Sequence, residues 1–226
     1  MSGEKTLALK KTPHARKKIP QPTIARLPVY LRCFASMETR AGGVISSQEL
    51  SQASAINPAQ VRKDLAAIGQ FGQRGVGYDI KTLEGKMRGI LGLHKAWPIA
   101  LVGAGNLGMA LLQYGGFSKA GFRIEAAFDV DPSKVGWELE GVKIWPTPSL
   151  RQVIRDKKIE IGVLAVPASQ AQRAAELLVD AGVRAILNFA PCLITVPKSV
   201  LVREVDLASE LEHLTYFLEK TGRGEK

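Results

Sequence analysis

From Thr23 onward, apolar residues recur as Ile24, Leu27, Leu31 and Phe34, the spacing of one face of a helix. Pro28 falls inside that stripe and must either kink or restart it. A second helix is predicted to begin at Ser46, because Ser46 and Glu49 have capping-box spacing just ahead of Leu50. The third start is the clearest: Asn57 as N-cap, Pro58 at the first helical position and Gln60 three residues after the cap predict a helix to about Ile68. Glycines at 69, 72, 75 and 77 then suit a tight β-ribbon over QFGQRGVGYDI better than a helix. Three short helices and a Gly-rich hairpin outline a winged helix-turn-helix. A connecting helix follows over Thr82 to Leu93, with Leu83, Met87, Ile90 and Leu91 as its apolar side.

The third helix has two distinct faces. Val61, Leu65 and Ile68 fall together, while Lys63 points the opposite way with Arg62 and Gln60 on its flanks and Ala59, Ala66 and Ala67 between them. A helix that enters a major groove about 12 Å wide needs such a surface, small except for groups that reach base edges and phosphates. A solvated helix face has the same composition. The hairpin favours the groove reading, because Arg74, Gly75 and Tyr78 resemble a wing laid on phosphates or in the minor groove.

A different rhythm begins at Trp97. Ile99 to Val102 form a buried strand, and GAGNLG follows at once, with Gly103, Gly105 and Gly108 opening a helix through Leu112. Next come a strand over Ile124 to Phe128, the apolar segment Val142 to Trp145, a helix from about Thr147 to Arg155, a strand over Ile161 to Val166, a helix from about Ser169 to Ala181 and a strand over Arg184 to Leu187. Strands alternating with helices predict a doubly wound, Rossmann-like parallel sheet covered on both faces. In the Gly-rich turn, the first glycine permits the tight turn, the second lets a pyrophosphate approach the backbone and the third allows close helix packing. The helix N-terminus then offers unpaired N–H groups to phosphates. Asp129 lies 21 residues after Gly108, at the end of the next strand, where a carboxylate can accept from an adenine ribose and repel a 2′-phosphate. NAD(H) is therefore favoured over NADP(H), with Asp131 as the alternative acceptor if the strand runs on. The closing segment, Asp206 to Lys220, is amphipathic with Leu207, Leu211, Leu214 and Leu218 as its stripe. It must cover something, either its own sheet or a partner subunit, and Asp206 suits an N-cap.

Charge sharpens this division. Residues 1–94 hold 15 Lys and Arg against 6 Asp and Glu, or +9, while residues 95–226 hold 16 against 15, or +1. A polyanion is the expected partner of the front portion, although six cations before residue 19 account for much of the excess. With 226 residues, 46% of them hydrophobic and 23% charged, the chain has the composition of a soluble globular protein. It lacks an apolar run long enough to span a bilayer and an apolar core near its N-terminus, so no membrane association is expected. Two cysteines, Cys33 and Cys192, form no disulfide framework, and a cytoplasmic location is expected.

Catalysis finds little support. His14, His94 and His213 lie in the tail, at the junction and on the last helix, and none ends a predicted sheet strand. Cys192 has no nearby basic partner, as expected of a small buried hydrophobe. No catalytic or metal site is therefore expected.

Seven stretches occur together and in order: RLPVYLR (26–32), QVRKDL (60–65), GQRGVGY (72–78), LVGAGNLG (101–108), FDVDPSKVG (128–136), NFAP (188–191) and VDLASEL (205–211). The chain from about Pro22 to Lys220 resembles the bacterial redox-sensing repressor family Rex. That resemblance implies a homodimer that binds palindromic operator DNA when NADH is scarce and releases it when NADH binds. Charge and the lack of periodicity predict a disordered basic arm at 1–21, longer than is usual in that family; the resemblance implies a winged-helix domain at 22–80, a linker helix at 81–94, a NAD(H)-binding Rossmann domain at 95–205 and a swapped C-terminal helix with its tail at 206–226. Gln60, Arg62, Lys63, Arg74, Gly75 and Tyr78 would face DNA. Gly103, Ala104, Gly105, Asn106, Leu107 and Gly108 would hold the pyrophosphate, Asp129 the adenosine ribose, and Val166 and Pro167 would line the same site. Asn188, Phe189, Pro191 and Leu207 would lie near the nicotinamide. Asp206 would switch between Tyr114 and Arg32. Two other classes compete with the repressor: an NAD-dependent dehydrogenase or CoA-ligase-like subunit, and a DNA-binding protein whose Rossmann unit only dimerises.

Overall fold

Helix α1 (Gln21–Ala35) runs continuously through Pro28, so the proline neither ends nor restarts it. The computed structural model describes residues 19–36, 43–69, 72–73 and 77–222. Pro28 lies on the exposed side, where water can satisfy the carbonyl that loses its amide partner. The buried face is Thr23, Leu27, Tyr30, Cys33 and Phe34, whereas Ile24 and Leu31 are half-buried. The apolar stripe is thus rotated from its expected position, because a buried carboxylate on another helix draws Thr23 and Tyr30 inward.

Strand β1 (Val44–Ile45) leads into α2 (Ser47–Ser54), where Ser46 and Glu49 form the full capping box. Helix α3 (Pro58–Ile68) begins as expected, with the Asn57 side chain accepting from the Ala59 amide. Strands β2 (Gly72–Gln73) and β3 (Gly77–Asp79) pair antiparallel, and β1 adds to β3 to give the order β1-β3-β2. Helix α4 (Ile80–Ile90) starts two residues earlier than its apolar pattern suggests, because Asp79 caps it by accepting from the Thr82 amide. Its Ile80, Leu83 and Met87 join Leu27, Phe34, Leu50, Val61 and Leu65 in one core. The helix expected to link two domains therefore contributes to the first core.

The chain divides into two compact units, Met1–His94 and Lys95–Lys226. In the second, β4 (Trp97–Val102) precedes α5 (Asn106–Leu112) and the short α6 (Gly116–Lys119). Strand β5 (Phe122–Asp129), the edge hairpin β6 (Glu138–Leu139) with β7 (Val142–Pro146), and a single 3-10 turn lead to α7 (Leu150–Asp156). Strand β8 (Ile161–Leu164), α8 (Ala168–Ala181), β9 (Ala185–Asn188), β10 (Leu201–Glu204) and α9 (Leu207–Gly222) complete the unit. The sheet order is β10-β9-β8-β4-β5-β7-β6, with every pair parallel except β6 with β7. Two apolar clusters form the core, one containing Ala100, Phe128, Leu164 and Leu178, the other Leu101, Ala127, Ile144 and Val163. Strand order reverses at β4, between β5 on one side and β8 on the other, and ligands of such sheets enter at the carboxyl ends of the strands around that point.

Candidate functional site

In the first unit, Arg62, Lys63, Ala59 and Ala66 are exposed on α3, opposite the buried Val61, Leu65 and Ile68. The expected basic, otherwise small face is thus present. Gln60 is half-buried and donates its Nε2 to Asp64 Oδ1 at 2.9 Å, so part of its hydrogen-bonding capacity is turned inward. Tyr78 is half-buried on β3, in register with Ile45 and Gly72. Arg74 and Gly75, expected at the wing tip, lie outside the described residues, as does the basic arm through Lys18.

Asp64 is the residue that sequence reasoning missed. It lies fully buried on α3, and its carboxylate accepts from Thr23, Arg26, Tyr30 and Gln60. Arg26 engages it with two nitrogens, Nε to Oδ2 at 2.6 Å and Nη2 to Oδ1 at 2.8 Å. Burial by itself would raise its pKa, but the hydrogen bonds, led by that of Arg26, outweigh burial and hold it at about 2. The signal was available: Asp64 falls between Val61 and Leu65 on the apolar side of the helix.

In the second unit, a cleft of about 260 Å³ opens at the switch point, lined by Gly103, Gly105, Asp129, Lys134, Thr147, Val166 and Pro167 among others. Gly103 takes a positive φ of 98° and donates its amide to Phe128 O at 2.8 Å. A side chain there would strike the Ala165 carbonyl, and one at Gly108 would strike the Gly103 carbonyl, so both glycines serve close backbone packing. Gly105 differs: it caps α5 and faces open space, so packing within the protein does not require its lack of a side chain. Asn106 and Leu107 are exposed in the first turn of α5.

Asp129 is about 9% exposed. Its Oδ2 accepts from the Ala104 amide at 2.7 Å and its Oδ1 from the Asp131 amide at 2.8 Å, with Lys134 Nζ 3.7 Å away. The Ala104 N–H is thereby committed to Asp129. Asp131, the alternative acceptor, lies beyond the strand, half-buried, accepting from the Ser133 amide and hydroxyl and 3.5 Å from Lys134 Nζ.

Asn188 is buried, and both ends of its amide are used within its own loop, Nδ2 on Cys192 O and Oδ1 on the Ala190 amide. It shapes the NFAP turn. Phe189 packs against the sheet core, and Pro191 is exposed. Asn188 ends β9 and the other two follow it, one strand beyond β8, and none of the three lines the cleft.

Arg32 is exposed in the last turn of α1 in the first unit; Tyr114 and Asp206 belong to the second. Tyr114 is exposed two residues past α5 and edges against Phe117 with ring centroids 5.1 Å apart. Asp206 accepts from the amides of Ala208 and Ser209 and from the Ser209 hydroxyl, which holds its carboxyl below the usual range. It is thus an N-cap, as its position suggested. Helix α9 does not cover its own sheet: Leu207, Leu211, Leu214, Phe217 and Leu218 are each 57–70% exposed. No cluster of three His, Cys, Asp or Glu side chains that could hold a metal ion occurs among the described residues. Among those residues no helix is long and apolar enough to cross a membrane.

Residues 18–66 match a family model described as a putative DNA-binding protein N-terminus, and residues 94–192 one described as a CoA binding domain. Fold and site define a winged-helix regulator joined to a nucleotide-type Rossmann unit. A protein of Streptomyces coelicolor named redox-sensing transcriptional repressor Rex is 46% identical over 198 residues, spanning 88% of this chain and 77% of that one. One of the same name from Desulfitobacterium hafniense is 47% identical over 199 residues, 88% of this chain and 95% of that one. The chain belongs to the Rex family of redox-sensing transcriptional repressors, regulators rather than enzymes. The crystal structure of RSP in complex with β-NAD+ and operator DNA superposes with a TM-score of 0.83 at 35% identity, over 93% of this chain and 99% of that one. RSP in complex with β-NADH gives 0.81 at 34% identity, over 92% and 99%.

Proposed function

We propose that this chain is a homodimeric repressor that senses the NADH/NAD+ ratio, binding palindromic operator DNA through α3 and the wing and releasing it when NADH binds. The observation that carries this reading is the switch-point cleft. It combines a glycine with open space at a helix N-terminus and a buried carboxylate at the end of the next strand, on the same chain as an exposed basic recognition-type helix. The pyrophosphate would lie on Gly105 and the α5 amides, and the adenosine ribose on Asp129. RSP crystallised with operator DNA and β-NAD+, and with β-NADH, supports both ligands.

The exposed leucine stripe of α9 supports a dimer in which each terminal helix crosses to the partner. Asn188, Phe189, Pro191 and Leu207 would then surround the nicotinamide, with Leu207 acting on the partner's cofactor. A dry apolar pocket disfavours the positive charge of the NAD+ ring, so the reduced form gains when the dimer closes. Moving a dimer from mostly open to mostly closed requires a preference of roughly 5 kcal/mol, within reach of several buried contacts. Closure would break the spacing of the recognition helices, which must match one helical turn of DNA, about 34 Å. Asp206, Tyr114 and Arg32 would carry the switch.

The test is fluorescence anisotropy on a labelled palindromic duplex. NADH should release the protein at concentrations where NAD+ has little effect; equal effects of the two forms refute redox sensing.

A further inference from the structure

The hydroxyl of Thr147 is buried and has no hydrogen-bond partner among the described residues. A buried hydroxyl without a partner forfeits its hydration, so its retention points to a partner the free chain does not supply. Its location names one. Thr147 stands directly after β7, whose last residue, Pro146, is in register with Asp129 of β5. It also forms part of the wall of the cleft that contains Gly105 and Asp129.

This inference rests on the nucleotide reading above. With the pyrophosphate at Gly105 and the ribose at Asp129, the remainder of the adenosine extends toward β7, the next strand outward from β5. We infer that Thr147 Oγ1 hydrogen-bonds the adenosine half of the bound dinucleotide. Rotation about the Cα–Cβ bond exchanges Oγ1 with the methyl group and turns the hydroxyl toward the cleft, and a hydroxyl can donate to a ring nitrogen or accept from an amino or sugar hydroxyl group. NAD+ and NADH share this half of the molecule. Thr147 therefore adds affinity for both alike: it sets the concentration range over which the cleft fills and leaves the redox preference untouched.

Isothermal titration of the full-length chain with ADP-ribose, NADH and NAD+, together with its melting temperature, tests this. Thr147→Val keeps the side-chain shape and removes only the hydroxyl. It should weaken all three ligands by one common factor of about three to ten, the worth of a neutral hydrogen bond, while the melting temperature stays level or rises. Thr147→Ser, which keeps the hydroxyl, should stay within about two-fold of the parent. Unchanged affinities in Thr147→Val overturn the inference. So does a melting temperature lowered by several degrees together with equal weakening in Thr147→Ser, since the side chain would then be serving the fold. A loss confined to NADH overturns the adenosine placement. If the unaltered chain binds neither ADP-ribose nor NADH, the nucleotide reading itself has failed; if it binds both and Thr147→Val matches it, only Thr147 has been misassigned.

Discussion

Asp64 shows how one side chain can join two helices. It accepts from three residues of α1 and one of α3 with no exposure to solvent, so removing it strands the Arg26 guanidinium and the Tyr30 hydroxyl. Asp64→Ala should cost about 3–5 kcal/mol in chemical denaturation of the full chain; a loss under about 1 kcal/mol would show the network to be dispensable. The same network predicts a pH dependence. A carboxyl held at about 2 when folded, against an ordinary 3.8, contributes stability above pH 4 that is lost as pH falls toward 2. Melting curves of the parent should fall across that window by more than those of Asp64→Asn. Gly105 gives the converse case, a residue whose substitution should spare the fold. Its negative φ of −75° and open surroundings accept a side chain, so Gly105→Val should melt like the parent yet lose NADH binding by calorimetry. Undiminished NADH affinity would mean that the Rossmann unit is only a scaffold.

Helix ends were readable because their signals are local. The capping box at Ser46, the Asn57 cap with Pro58, and the strand-turn-helix around Gly103 depend on neighbours within four residues, and all three formed as expected. Elements that depend on distant partners were not readable. The two-residue strand β1 exists because β3 offers it an edge, and β10 because β9 does. The buried face of α1 is rotated from the stripe its apolar spacing predicts, since its polar Thr23 and Tyr30 are buried only through a carboxylate 41 and 34 residues away. Helix α9 is the element most in need of a partner. Replacing Leu211 and Leu218 by Glu should convert a dimer to a monomer in analytical ultracentrifugation while the sheet stays folded; a dimer that persists would place the interface elsewhere.

Across the whole molecule, the proposed function is a coupling between two compact units, one basic and one nearly neutral. Coupling requires that each ligand distinguish the states the other favours. If Asp206 transmits it, Asp206→Ala should leave both affinities near those of the parent when each is measured alone, yet NADH should no longer release DNA efficiently. A normal response in that variant would leave Asp206 with only its observed role of capping α9.

By itself the sequence determined the two units, the Gly-rich turn, the recognition-type face of α3 and the carboxylate at Asp129, because periodicity, caps and turn glycines act over a few residues. Only the tertiary structure decided that Asp64 is a buried hub, that Asn188 is consumed by its own loop, that the Ala104 amide belongs to Asp129 and that Thr147, in the wall of the cleft, buries a hydroxyl with no partner among the described residues. Each of these depends on which polar atom meets which across the fold, and the pattern of apolar positions along a chain carries no record of such pairings.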